Sequence, residues 1–267
     1  MGTSSKIVHR TSGDNGPPRR RATRRATASH EQRGQASNAD PRDQRDERQQ
    51  REERILDAAA ALMVRWGFRK TTIDDVAREA GVGKGTIYLH WKDKNELFTA
   101  TIWRAGEQAT QETQRRIAAD PEGGRFHRLW THGMLAILAN PLLAALMTGN
   151  SDIFQGLLET LSPELVEQLI GNVETHIIQL QQAGLIRADL SVPAVTFLMS
   201  ALKMGLITAS DLMGKEHALA PEELTEALSD LMRRWLEPEQ LPTDNTEGKR
   251  LMNEWMDSIN DFTQQRQ

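Results

Sequence analysis

Apolar side chains recur at three- and four-residue intervals along most of this chain, and this spacing predicts an all-α fold. In residues 51–68, for example, Ile55, Leu62 and Trp66 fall on one face of a helix, and Gly67 is a typical helix stop. No stretch shows the alternation of β-branched and polar residues that is typical of strands. The pattern therefore predicts helices joined by short turns.

The same periodicity, combined with capping residues and prolines, sets the bounds of the predicted helices. They lie at about 51–66, 72–80, 84–90, 93–118, 124–139, 142–148, 151–160, 163–184, 192–213 and 221–236. Prolines in residues 236–245 predict a linker. Residues 246–262 then carry an apolar stripe, which predicts an amphipathic helix. That helix docks on its own protomer or across a dimer or, alternatively, binds a partner.

The stretch AGVGKGTIYLHW, residues 80–91, combines glycines with a lysine, as phosphate-binding loops do. A Walker-type loop needs Ser or Thr directly after its Gly-Lys pair, but Gly85 follows Lys84 here, and Arg78 stands where the first glycine belongs. A dinucleotide fingerprint needs a preceding strand, whereas residues 72–80 are predicted to be helical. Both kinds of nucleotide site are therefore excluded.

The same stretch fits a helix-turn-helix motif. Ala77 is small enough for two helices to cross there, and Gly81 tolerates the positive φ that the turn requires. Val82 and Ile87 supply apolar contacts between the two helices. The start of the second helix then faces outward, as in a helix that enters the major groove of DNA.

Residues 55–98, ILDAAAALMVRWGFRKTTIDDVAREAGVGKGTIYLHWKDKNELF, resemble the DNA-binding domain of the tetracycline-repressor (TetR/AcrR) family. The shared elements are a first helix ending in Gly-Phe, a Thr-Thr pair, an AGV turn, a GT-aliphatic-Tyr segment and a Lys-x-Glu-Leu helix start. The chain departs from the pattern at Gly83, where Ser is frequent, and at Trp91, where Phe is usual. The resemblance implies a homodimeric, ligand-responsive transcriptional regulator, a repressor that a small-molecule effector releases from a near-palindromic operator.

Carried over position by position, the resemblance implies phosphate anchors at the starts of the second and fourth helices and base contacts on the third. The expected DNA-binding residues are Thr71, Thr72, Lys84, Gly85, Thr86, Tyr88, His90 and Lys94. A pocket for a largely apolar effector is expected among the later helices. Its candidate lining residues, each of which could equally be ordinary core, are Trp103, Trp130, Met134, Phe154, His176 and Phe197.

The resemblance and the composition together predict four parts. They are a disordered basic tail (1–47), a helix-turn-helix DNA-binding domain (48–98), a helical ligand-binding and dimerisation domain (99–240), and a linker with a C-terminal amphipathic helix (241–267). The tail is either a solvated segment or an arm that adds contacts to DNA. Residues 184–210 and 221–236 resemble the family's two dimerisation helices.

Charge is distributed unevenly along the chain, although the net charge of the 267 residues is only −4. Residues 1–50 carry 11 basic and 6 acidic side chains, whereas residues 108–267 carry 12 basic and 22 acidic ones. A polyanion such as DNA is therefore expected to meet the N-terminal third.

Several function classes are excluded or disfavoured by residue types. The absence of cysteine excludes disulfides and thiol chemistry and suits the cytoplasm. His127 and His132 are five residues apart, which does not suit a helical metal site, and no catalytic constellation is visible. We expect no enzyme activity, no cofactor and no membrane span. The alternative function is a DNA-binding protein that recruits another protein and senses no small molecule.

Overall fold

The computed structural model describes residues 41–147, 163–213, 217 and 219–264, and these ranges contain helices and no strand. The predicted all-α fold is confirmed. Two predicted features lie outside the described residues: the tail up to residue 40 and the helix at 151–160.

The helices of the described ranges agree with the predicted ones to within a few residues, except at the N-terminus. In chain order they are α1 (Pro41–Lys70), α2 (Ile73–Ala80), α3 (Lys84–Tyr88), α4 (Lys94–Ala119), α5 (Phe126–Ala139), α6 (Pro141–Met147), α7 (Pro163–Gln182), α8 (Val192–Met213), α9 (Pro221–Leu236) and α10 (Thr246–Gln264).

Helix α1 begins earlier than the sequence pattern predicts. The lack of apolar side chains predicts that residues 41–47 belong to the tail, but they are helical. Arg, Gln and Glu have high intrinsic helix propensity, so a segment can continue a helix without burying a face. Near the other end, Gly67 leaves the helical conformation with φ 81° and ψ 170°. The helix is therefore broken at the predicted stop, and one further turn continues to Lys70.

One apolar cluster holds the N-terminal helices together. Ile55 and Leu62 of α1 meet Val76 of α2, Ile87 of α3 and Phe98 of α4, and all of these side chains are buried. Helix α6 also contributes to this cluster. Because the shortest helix, α3, adds a buried residue, its orientation is determined by this core.

A second apolar cluster lies among the later helices. It includes Ile117 at the end of α4 and buried residues from α5, α7, α8, α9 and α10. Helix α4 therefore contributes to both clusters as one continuous helix of 26 residues. A displacement of α4 at one cluster is expected to reach the other.

The loop between α4 and α5 is anchored by the Asp120 carboxylate. One of its oxygens lies 2.7 Å from His132 Nε2 and accepts a hydrogen bond of 2.5 Å from Arg128. Burial raises the pKa of Asp120, but the hydrogen bonds from His132 and Arg128 outweigh it and hold the pKa at about 2. The carboxylate is therefore ionised at neutral pH, and it ties the loop to α5.

The C-terminal helix packs on its own protomer, as one of the alternatives for the apolar stripe predicts. Met252 and Met256 of α10 are buried in the second cluster. Gln114 Nε2 of α4 donates a 2.7 Å hydrogen bond to Asp257, and Asn245 donates one of 3.0 Å to the carbonyl of Pro121. Helix α10 thus covers the C-terminal half of α4.

Within the described ranges, every helix is too short or too polar to cross a lipid bilayer.

Candidate nucleic-acid interface

The start of α2 is held by a reciprocal capping box. The Thr72 hydroxyl accepts a 3.2 Å hydrogen bond from the Asp75 amide, and the Asp75 carboxylate accepts one of 3.2 Å from the Thr72 amide. This pairing satisfies two backbone donors that a helix start leaves free. The position of Thr72 at the surface is therefore well determined.

The turn after α2 depends on Gly81, which has φ 67° and ψ 33°. Its amide donates to the carbonyls of Ala77 and Arg78, which closes the end of α2. Space for a Cβ is open there, so the left-handed backbone, and not crowding, requires glycine. The predicted turn residue is confirmed.

Gly83 precedes the first residue of helix α3, adopts an extended conformation and provides no side-chain cap. The missing hydroxyl noted in the sequence thus leaves the helix start uncapped by a side chain. On the inner face of α3, Ile87 is 0% exposed, and Trp91 is buried beyond it. These two anchors determine which face of the short helix points outward.

Four residues form the outward face of α3, which we call the recognition surface: Lys84, Gly85, Thr86 and Tyr88. Lys84, Gly85 and Tyr88 are exposed, and Thr86 is half-buried. No heavy atom lies within 4 Å of the position that a Cβ on Gly85 would occupy, so its backbone can approach another molecule closely. The structure places these four predicted residues together.

Lys84 is not free on this surface, because its Nζ donates a 2.9 Å hydrogen bond to the Asp74 carboxylate of α2. The hydrogen bond from Lys84 to Asp74 raises the pKa of the lysine. Asp74 was not among the predicted site residues. The pair is ten positions apart, so no helical spacing reveals it.

Thr71 does not have the exposed position that a phosphate anchor requires. Its side chain is 0% exposed, and its hydroxyl donates a 2.9 Å hydrogen bond to the carbonyl of Gly67. The prediction that Thr71 contacts phosphate is therefore wrong for this structure. Its hydroxyl instead satisfies a carbonyl where α1 is broken.

His90 does not lie on the exposed face of α3. Helix α3 ends at Tyr88, and the amide of His90 bonds to the Ile87 carbonyl in a final turn. Its side chain is 7% exposed, and Nδ1 lies 3.5 Å from the Glu52 carboxylate of α1. The predicted outward orientation is wrong, because the helix stops two residues early. Leu89, 78% exposed, is the residue that points outward there.

Lys94 is held against α1. Its Nζ donates a 3.2 Å hydrogen bond to the Arg69 carbonyl and lies 4.8 Å from the ring centroid of Phe68 and 5.3 Å from that of Phe98. Burial lowers the pKa of Lys94. These contacts give the ammonium group a role in joining α4 to α1 beside any contact with DNA.

The five predicted effector-site residues that the structure describes lie on four different helices. Trp103 on α4 and Trp130 on α5 are half-buried, and Met134 on α5 is buried. Phe197 on α8 is 71% exposed, so it lies at the surface of the protomer and not in its interior. Phe154 lies outside the described residues.

His176 of α7 is 4% exposed, and its ring stacks on Trp255 of α10 at 4.7 Å between centroids. Burial lowers the pKa of His176 to about 4, so the ring is neutral at neutral pH. A groove of about 1020 Å³ does lie between α1 and α4, but none of the predicted effector residues lines it.

Comparison with known proteins places the matched segment in a family. Residues 55–101 match the model described as "Bacterial regulatory proteins, tetR family". The HTH-type transcriptional regulator AcrR of Shigella flexneri is 38% identical over 71 residues, which are 25% of this chain and 33% of that protein. The chain spans between 23% and 58% of the length of the first curated relatives that it matches. These relatives are regulators of transcription and not enzymes.

Solved structures share the fold over a longer range. A TetR-family regulator from Rhodococcus sp. has a TM-score of 0.53 and 20% identity, and the match covers 71% of this chain and 100% of that one. FadR from Bacillus subtilis in complex with stearoyl-CoA has a TM-score of 0.50 and 18% identity, covering 67% of this chain and 96% of that one. At these identities the likeness concerns the fold alone.

Proposed function

Through residues 55–101 this chain belongs to the tetR family of bacterial regulatory proteins, and on that premise we propose a function for the whole protein. It is a homodimeric transcriptional repressor that binds a near-palindromic operator in the cytoplasm and is released by a small-molecule effector. The observation that carries this proposal is the recognition surface, an outward face of α3 that the buried Ile87 orients after the Gly81 turn.

The recognition surface has the chemistry of a major-groove reader. Lys84 supplies hydrogen-bond donors for guanine or phosphate, and Thr86 supplies a hydroxyl for either. Tyr88 adds an exposed phenol one helical turn beyond Lys84. Thr72 lies exposed at the capped start of α2. Its hydroxyl donates a 2.7 Å hydrogen bond to the Asp75 carboxylate, and it contacts backbone phosphate by exchanging that partner. Thr71, His90 and Lys94 are assigned positioning roles by the contacts described above.

Dimerisation is proposed at a surface of α7 and α8 that exposes large apolar side chains. These are Ile170 and Ile178 on α7 and Phe197, Leu198 and Met204 on α8. Helix α9, which the sequence suggested as the second dimer helix, instead packs along α5 and buries Leu228 and Met232. An apolar patch on two adjacent helices suits a self-complementary interface across a twofold axis.

Phe197→Asp is expected to raise the dissociation constant of the dimer by at least about 10-fold, because a buried interface does not accommodate an unpaired charge. Sedimentation velocity over a concentration series measures the shift. Leu231→Asp is the matched control, since Leu231 is 44% exposed but lies on α9. Equal effects of the two substitutions would contradict this placement of the interface.

The effector is proposed to be largely apolar. The second cluster is formed by aliphatic and aromatic side chains from six helices, and Ile117 near the end of α4 belongs to it. The FadR neighbour holds stearoyl-CoA, a ligand with a long apolar chain. A ligand that enters this cluster and displaces α4 would change the separation of the two recognition surfaces in a dimer. Trp103, Trp130, Met134 and His176 are the described candidates for its contacts.

Selection of bound sequences from a random DNA pool tests the proposed function. We expect enrichment of one motif with two half-sites related by a dyad, because a twofold-symmetric dimer presents two identical helices. No enriched sequence, or an asymmetric one without half-sites, would contradict the proposal.

Tyr88→Ala is expected to weaken binding to the selected operator by about 10- to 100-fold, as for loss of one base contact. A shift assay at constant salt measures this change. Trp66→Ala is the matched control, because Trp66 is an aromatic residue of similar exposure that lies on α1 and not on α3. If both variants bind like the unsubstituted protein, α3 is not the reading helix.

A further inference from the structure

Lys84, the first residue of the recognition surface, forms an ion pair with Asp74 of α2. The phosphates of DNA would attract the lysine and repel the carboxylate. Resting on the function proposed above, we propose that Asp74 is a specificity-determining residue. It binds Lys84 in the free protein and penalises every DNA sequence that offers its carboxylate no donor. An operator compensates by presenting an exocyclic amino group, which cytosine carries in the major groove.

The geometry of the pair supports competition with DNA. Lys84 Nζ lies 2.9 Å from the Asp74 carboxylate, and both side chains remain about half exposed, at 47% and 61%. The pair is thus accessible to a third group that approaches α3. A DNA phosphate that takes the lysine must break this hydrogen bond, and it brings negative charge toward the carboxylate that is left behind.

Asp74 is not needed to start α2. A role in capping that helix therefore does not explain the presence of its carboxylate. Its neighbour Asp75 makes the capping box with Thr72 and also accepts a 3.1 Å hydrogen bond from Arg78. Asp74 makes its described contact across the turn, to the first residue of α3. An acidic side chain at this position lowers the positive charge of the surface that meets a polyanion.

The consequence differs between operator and other DNA. On nonspecific DNA, Lys84 either stays with Asp74 and contributes no phosphate contact, or leaves Asp74 unpaired near phosphates. On an operator with a cytosine amino group in reach, the carboxylate gains a new partner and Lys84 is released to its own contact. Asp74 therefore widens the gap between specific and nonspecific affinity.

Asp74→Asn tests this inference in the full-length protein with the selected operator and a scrambled duplex of equal length. We expect binding to the scrambled duplex to strengthen by about 10-fold and the slope of log K against log salt to steepen by about two, because one more lysine in each protomer of the dimer meets phosphate. The affinity for the operator should change less. The specificity ratio, which is the affinity for the operator divided by that for the scrambled duplex, should therefore fall. Repeating the pool selection with the variant should relax the preference for one C·G pair in each half-site.

Two controls separate this role from a general charge effect. Asp57→Asn removes the same charge from another ion pair, since the exposed Asp57 carboxylate bonds to Arg104 at 2.6 Å between α1 and α4. It should leave the specificity ratio unchanged. In a Lys84→Met background, Asp74→Asn should no longer alter the salt slope, because the lysine that it releases is absent.

A different pattern would overturn the inference. If the pair only joins α2 to α3, Asp74→Asn lowers the melting temperature and weakens binding to both duplexes alike. If the unsubstituted protein selects an operator and the variant keeps the same ratio and slope, Asp74 has no such role and the proposed function stands. If the unsubstituted protein selects no DNA, both the function and the inference are wrong.

Discussion

Gly248→Ala is expected to lower the free energy of unfolding by at least about 2 kcal/mol, the cost of overpacking a site that cannot relax. A Cβ on Gly248 would overlap the carbonyl oxygen of Gly124, and one on Gly124 would overlap the carbonyl of Asn245. The obstacle is backbone on both sides, so no flexible side chain can move aside. We expect α10 to separate from the loop between α4 and α5, and urea unfolding measures the loss.

The matched control is Gly171→Ala. Gly171 also lies within a helix, α7, but no atom is within 4 Å of the position of an added Cβ. Alanine has the higher helix propensity, so this variant should be more stable by about 0.5–1 kcal/mol. Two variants of equal stability would show that the close approach of α10 to the α4–α5 loop does not exist in solution.

Ile87→Ala is expected to cost about 3 kcal/mol and to abolish operator binding, because a buried isoleucine leaves a cavity when truncated. Ile87 is 0% exposed and is the residue by which α3 is fixed in the first cluster. Without it, a helix of five residues has too few contacts to keep its orientation. Thermal unfolding and an operator shift assay measure the two effects on one preparation.

Leu89→Ala provides the comparison within the same segment. Leu89 is 78% exposed, so its truncation should change stability by less than about 0.5 kcal/mol. A large loss of stability in Leu89→Ala with little loss in Ile87→Ala would mean that α3 is rotated relative to the arrangement described above. Any loss of DNA binding by Leu89→Ala without a loss of stability would instead extend the recognition surface.

The errors of the sequence-based interpretation have a common physical origin. His90 was placed on the outer face of α3 by continuing a 3.6-residue period that the chain leaves after Tyr88. The sequence predicts that Thr71 contacts a DNA phosphate, but its hydroxyl donates a hydrogen bond to the Gly67 carbonyl. In both cases the side chain is of a type that can bind DNA, but it makes its contact inside the protomer instead.

The proposed dimer surface shows the same limit on a larger scale. Helices α8 and α9 both carry apolar residues at helical spacing, and an interior face and an interface have the same pattern. Packing of α9 on α5 buries one set, while Phe197 of α8 remains exposed. The choice depends on which helices are neighbours in space, and periodicity along a single helix carries no information on that.

The sequence by itself determined the helical class, most of the helix bounds and the helix-turn-helix, since these depend on interactions within a few residues. The Thr72 cap and the Gly81 turn are such local features, and both are as predicted. Three contacts are decided only by the tertiary structure. They are the ion pair of Lys84 with Asp74, the orientation of the His90 side chain toward α1, and the packing of α10 against Gly124. These contacts join residues 10 to more than 100 positions apart, where the packing of whole helices and not local preference sets which groups meet.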